Sequence, residues 1–382
     1  MMILKESILN YINNKNKDEF DPYYIYDIQT IKAQCNKFRK IDYQNKSIHF
    51  ATMANINPDF LSYIKEENIK VFVNSVLHLR AVMKAGYKDD EIIFTSSALT
   101  KKTMKIIHDN GVQVNLDSPL QLEQWRRLFP DFPVGIRCNI GDAVAPYSNH
   151  AGAFIGKQSR LGFSLEEIDE IENKEMINAL HMYVGTDITD IDYFINCYSA
   201  LIDISKKFPK LVSLNFGGGF GVSENGDDEF NFVDYNQRVT KLMNNTSHEY
   251  GKNLHLILEP GRIIGGAAGV FVCHVTDIKK RGNEYLVGVN ASTAQFPRPL
   301  MYPETAIHPV MIVRDGKQLL SESCCKTKIY GSSTYSRDIF SNNIMLPELQ
   351  MGDIVVLGNA GSYSASSYCE FLGFEKPVEI FI

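Results

Sequence analysis

Eight short apolar runs, each followed by a stretch of helical spacing, constrain what this chain can fold into more than any other feature. In order they are SIHFAT, IKVFV, EIIFT, VQVNL, FPVGIRC, ALHMYV, LVSLNF and LHLILE. Between them, segments such as NPDFLSYIKEEN and SVLHLRAVMKAG carry apolar residues at roughly helical intervals. Strands alternating with helices build a parallel sheet, and eight of them fit a closed (β/α)8 barrel of the TIM type. An open doubly wound sheet would have fewer strands and a glycine-rich first turn, whereas the turn TMANINP holds no glycine.

The pattern changes after EPGRIIGGAAG. VFVCHVTDIKKRGNEYLVGVN, PVMIVRDGKQLLS and DIVVLGNAG read as strands joined by short turns, the grammar of an antiparallel β-domain. The Asp-Gly in VRDGKQ is a hairpin signal. Residues 28–265 are therefore expected to form the barrel and 266–382 the β-domain, with a strand in 1–27 (DPYYIYD) pairing with that domain.

Composition narrows the function. A formal charge of −6, a pI near 5.9 and no basic run argue against nucleic-acid binding. No apolar stretch reaches the length of a membrane span, and MMILKESILNYINNKNKDEF is too polar for a signal peptide, so a soluble cytoplasmic protein is expected. The seven cysteines include no C-x-x-C pair and are expected to be reduced thiols. Nine histidines without an HExxH pattern give no reason to expect a metal site.

NFGGGFG (Asn215–Gly221) directly follows the seventh run, and LEPGR (Leu258–Arg262) ends the eighth. Glycines let backbone N–H groups approach an anion, and the loops after strands seven and eight are the habitual phosphate site of this barrel. The plainer reading is a tight turn and a surface arginine.

Taken together, these residues resemble the fold-type III, pyridoxal-phosphate-dependent amino-acid decarboxylases. This is the ornithine, diaminopimelate and arginine decarboxylase group, whose barrel is related to that of alanine racemase. PYYIYD, SRLGF (Ser159–Phe163), NFGGGFG, EPGR, RPLMY (Arg298–Tyr302), NAGSY (Asn359–Tyr363) and the closing FLGFEKPVEIFI are similar to family motifs in the same order. The resemblance implies that Gly217, Gly218, Gly219, Gly261, Arg262 and Tyr363 lie in a phosphate and cofactor pocket. It implies that Glu259 faces the pyridine nitrogen and that Arg298 and Tyr302 contact substrate. For Glu259 a structural pairing with an arginine such as Arg137 is the alternative, and for Tyr363 a place in the β-domain core.

Where the family has Y-A-x-K-A-N, this chain reads FATMAN, so Met53 stands at the position of the lysine that attaches the cofactor. A thioether can neither condense with an aldehyde nor move a proton. Other positions depart as well. The family's ring-stacking histidine aligns with Tyr183, its G-P-x-C-[DE] loop with GSSTYSRD (placing Thr334 and Tyr335 there), and an acidic position with Phe72.

Three readings follow. The chain is a homologue without ordinary decarboxylase activity that binds a carboxylate- and phosphate-bearing small molecule or regulates a partner, as a homodimer or paired with an active paralogue. Alternatively it is an enzyme of altered chemistry, using noncovalently held pyridoxal phosphate or another phosphate-bearing ligand, with Tyr183, Tyr335 or His308 moving protons. The third is a conventional amino-acid carboxy-lyase with a replacement lysine, for which Lys157, before SRLGF, is the candidate the sequence offers.

Overall fold

The structure is a computed structural model that describes residues 2–15, 21–147, 154–222, 230–303, 306, 308–320 and 324–382. The chain divides into two compact units. One comprises Lys32–Gly221 and Phe230–Ile263; the other is drawn from Met1–Ile31, Val222–Glu229 and Ile264–Ile382.

The second of these units receives the first elements of the chain, α1 (Glu6–Asn14) and β1 (Tyr23–Tyr26). The barrel unit follows, with β2 (Lys46–Ala51), β3 (Lys70–Val73), β4 (Ile92–Thr95), β5 (Gln113–Leu116), β6 (Val134–Arg137), β7 (Ile177–His181), β8 (Ser213–Asn215) and β9 (His255–Leu258). These eight strands pair in chain order, all parallel, and β9 returns to β2 to close the barrel. They are the eight apolar runs of the sequence. Being covered on both faces, such strands read as continuous hydrophobic stretches rather than alternating ones.

The helices after β2 to β5 start at fixed points because each is capped by the last residue of the preceding turn. Asn57, Ser75, Thr100 and Ser118 each accept a backbone N–H from the first turn of Pro58–Glu66, Val76–Lys84, Lys101–Asp109 and Pro119–Leu128. The turns at the C-terminal ends of these strands are thereby held short.

Behind the loop that follows β8, an aromatic cluster sets the geometry. Phe216 stacks on Tyr198 with ring centres 4.1 Å apart, and Phe220 stacks on Phe194 at 4.9 Å. Both loop phenylalanines are almost fully buried, so the three glycines between them are strung between two aromatic anchors.

The other unit continues with β10 (Gly269–Arg281), β11 (Glu284–Val289), β12 (Val310–Arg314), β13 (Lys317–Gln318), β14 (Cys325–Tyr330), β15 (Ile339–Leu346), β16 (Ile354–Leu357) and β17 (Val378–Phe381). Its sheet runs β13-β12-β16-β10-β11-β14-β15, with β1 lying between β10 and β17. The sequence grammar suggested an antiparallel domain, and most of the pairings are antiparallel, but the sheet is mixed. β11 and β14 pair in parallel, as do β1 and β17. Parallel neighbours need a long crossover. The chain between β11 and β14 supplies one, because it also contains the β12–β13 hairpin. That hairpin turns at Asp315 and Gly316 (φ +48° and +78°), the left-handed pair the Asp-Gly signal implies. Ile8 and Ile12 of α1 pack with Tyr23, Ile25, Val270, Val272, Met311, Val313 and Val356 in one hydrophobic cluster of this unit.

Candidate functional site at the barrel mouth

Met53 lies in the turn after β2, half-buried, and packs against Ala51, Phe72, Ile93 and Ile257. The turn is fixed from below. Ala51 donates its N–H to the Pro260 carbonyl (3.1 Å), and the Thr52 N–H goes to the Phe72 carbonyl (3.0 Å). Ala51, Phe72 and Ile93 are register partners on β2, β3 and β4, so one side of the mouth is apolar. The sequence places a single lysine in the eight connections that leave the strands, Lys157. Its side chain is 88% exposed and paired with Asp142 at 3.5 Å. No described lysine is buried.

The opposite side is polar. Arg137, His181 and Asn215 end β6, β7 and β8 and are register partners. His181 Nε2 lies 3.1 Å from Glu259 Oε2, and Asn215 Nδ2 donates to Glu259 Oε1 at 2.6 Å. The Asn215 Oδ1 accepts the Gly217 N–H at 3.0 Å, so this one amide orients both the carboxylate and the start of the glycine loop. The suggested Arg137 partner for Glu259 is replaced by His181 and Asn215; Arg137 instead approaches Asp117, at 3.9 Å. Burial works against the Glu259 charge. The facing His181, the hydrogen bonds from His181 and Asn215, and His49 outweigh it, and hold the carboxyl below its ordinary range. His49 itself lies wholly buried on β2, and burial pushes it down to about 4.

The glycine loop is shaped by its neighbours' backbones. A Cβ at Gly217 (φ +69°) would collide with the Met182 carbonyl, and one at Gly218 with the Glu259 carbonyl. Tyr183 lies alongside: its ring edge is 3.8 Å from where a Gly218 Cβ would stand, and its hydroxyl pairs with Thr186 Oγ1 at 2.7 Å. Gly219 packs on the Gly185–Ile188 turn, accepting the Ile188 N–H at 2.9 Å. Gly261 is buried, and Arg262, only 5% exposed, donates Nε to Asp187 Oδ1 at 2.6 Å.

Met53, Tyr183, Gly217–Gly219, Glu259, Gly261 and Arg262 thus all belong to the barrel unit. Met53 reaches Glu259 through Phe72 and His181, whose rings stack at 6.4 Å. His181, Asn215 and Asp187 escaped the sequence reading. For the first two, the available signal was a polar residue ending an otherwise apolar strand.

The other expected positions lie on the β-unit. Arg298, buried, sits over the Tyr302 ring at 5.5 Å. Thr334 is exposed, and Tyr335 meets Phe371 edge-on at 5.6 Å. Both belong to a loop that the buried Asp338 ties down through Ser333 and Thr293. Tyr363 is half-buried in a left-handed conformation (φ +56°). His308 Nδ1 pairs with the Gly358 carbonyl at 2.8 Å, its ring edge-on to Phe296.

A closed parallel barrel with a glycine loop after its seventh strand and E-P-G-R after its eighth, joined to a β-domain, is the architecture of the fold-type III pyridoxal phosphate proteins. The family model described as "Pyridoxal-dependent decarboxylase, pyridoxal binding domain" matches residues 28–266, and the chain belongs to that family. Diaminopimelate decarboxylase of Methanothermobacter thermautotrophicus is 25% identical over 96% of this chain and 87% of its own length. The Streptomyces coelicolor diaminopimelate decarboxylase is 28% identical over 90% and 80%. In fold, the chain is similar to the Helicobacter pylori diaminopimelate decarboxylase complexed with L-lysine (TM-score 0.84, 22% identity, covering 98% of this chain and 93% of that one). It is equally similar to the Paramecium bursaria Chlorella virus arginine decarboxylase bound to agmatine (TM-score 0.84, 18% identity, 99% and 100%). No helix among the described residues is long and apolar enough to cross a membrane.

Proposed function

We propose that this chain is a member of the decarboxylase family that does not perform the family's ordinary lysine-dependent decarboxylation. In this reading it holds a carboxylate- and phosphate-bearing small molecule without covalent attachment, as a ligand-binding or regulatory homologue. The observation that carries it is Met53, packed in the apolar half of the mouth, with Lys157 the single lysine of the strand-to-helix connections and turned to solvent.

The donor set supports a phosphate-bearing ligand at one end. No acceptor among the described residues takes the N–H of Gly218 or Gly219, and Arg262 brings a guanidinium to Asp187, in the turn bonded to that loop. Glu259, held ionised, suits a ring nitrogen that carries a proton, although His181 and Asn215 already address its two oxygens. Pyridoxal phosphate bound there would supply an electron sink. The protein's own contribution is to bind the phosphate through the loop and Arg262 and to hold a negative charge at Glu259. Position 53 offers no amine.

A dimer, either of this chain or with an active paralogue, belongs to the same proposal, since in the resembling family a second subunit completes the pocket. The test is incubation with pyridoxal phosphate followed by borohydride and peptide mass analysis. No lysine should gain mass; a stoichiometric adduct on one lysine-containing peptide would overturn the reading.

A further inference from the structure

Asp187 has no part in the family motifs, yet it occupies the anionic end of the mouth. It sits in the turn Gly185–Ile188, which is bonded to the glycine loop in both directions: Ile188 N–H to the Gly219 carbonyl and Gly221 N–H to the Ile188 carbonyl, each 2.9 Å. Its backbone is left-handed (φ +54°), which carries its side chain to Arg262, where Oδ1 accepts from Nε at 2.6 Å. The two partners differ in exposure. The arginine side chain is 5% exposed and the aspartate 29%, so the carboxylate stands on the solvent side of the guanidinium.

We propose that Asp187 is a specificity-determining residue, an internal anion that competes with the phosphate group of the ligand for Arg262. A charge-assisted hydrogen bond to guanidinium is of the strong kind, and an incoming phosphate must displace it or accept a like charge at its side. A carboxylate there weakens the binding of phosphate dianions and leaves the glycine loop unchanged. The inference rests on the reading of this loop as an anion site.

The probes are inorganic phosphate and pyridoxal phosphate, titrated calorimetrically into wild type, Asp187→Asn and Asp187→Gly. Asparagine and glycine both accept a left-handed backbone, so neither substitution strains the turn. Both variants should bind the probes about tenfold more tightly, the factor that ~1.4 kcal/mol represents. Adding Arg262→Ala to Asp187→Asn should remove that gain. If wild type binds and both Asp187 variants bind equally or more weakly, the carboxylate positions Arg262 for the ligand instead, and this inference fails alone. If no form binds either probe at millimolar concentration, the anion-site reading fails and takes this one with it.

Discussion

His181 Nε2 and Glu259 Oε2 meet at 3.1 Å with both side chains all but sealed from solvent. A carboxylate in such a place is stable only if its charge is answered, and here the answer comes from the protein itself, with Asn215 on the other oxygen. The pair joins the apolar side of the mouth, through Phe72, to the polar side.

Glu259→Gln should therefore destabilise the protein by about 2 kcal/mol, the scale of a hydrogen bond to a charged group. Because the folded carboxyl titrates below its ordinary value of 4.5, its stabilisation is complete above that pH and is lost as pH falls through the lower folded value. Urea melts of wild type and variant should converge in strong acid. A constant difference down to the lowest pH would show that the charge contributes nothing.

His49 acts at milder acidity. Its folded value is depressed from 6.5 to about 4, so the unfolded chain takes up a proton first, and stability falls as pH drops from about 6.5 toward 4. At 1.36 kcal/mol per pH unit this amounts to roughly 3 kcal/mol. His49→Gln should flatten that part of the stability profile, and melts across this range check it.

Met53→Lys alone should not restore brisk decarboxylation of diaminopimelate, ornithine, arginine or lysine. Catalytic groups act as a set, and the new amine would meet Phe72 and Ile93 rather than a carboxylate partner. Carbon dioxide release by Met53→Lys, compared with Met53→Lys combined with Tyr183→His and Thr334→Cys, measures this. High turnover from the single change would mean that the remaining positions are tolerated.

Arg262→Ala should weaken phosphate or pyridoxal phosphate binding about tenfold or more. Met53→Ala should change it far less, because position 53 contributes packing. Calorimetry on the two variants separates the cases; equal losses would place the anion elsewhere.

Light scattering at micromolar concentration should give the mass of a dimer. A monomer would count against both the self-paired and the paralogue-paired forms of the proposal.

The barrel was legible because buried parallel strands leave unbroken apolar runs, and the Asp315–Gly316 turn because few residues adopt its conformation. The parallel pairing of β11 with β14 was not, since strand neighbours far apart in sequence leave no local pattern. His181 was hidden inside ALHMYV, where one histidine in an apolar strand reads as core. Its meaning appears only when β7 and the end of β9 are brought side by side. Asp187 was hidden for another reason: a carboxylate in a polar turn is ordinary until the turn is seen to lie against the glycine loop.

The triple glycine has a history the fold can explain without any ligand. Gly217 and Gly218 are each demanded by a carbonyl of a neighbouring strand end, and the Pro260 carbonyl of E-P-G-R closes β9 onto β2. The fold alone therefore requires both signatures, whatever residue stands at position 53. The residues by which the family is recognised are thus a record of how the barrel is built. Position 53 contributes to that barrel by packing against Ala51, Phe72, Ile93 and Ile257.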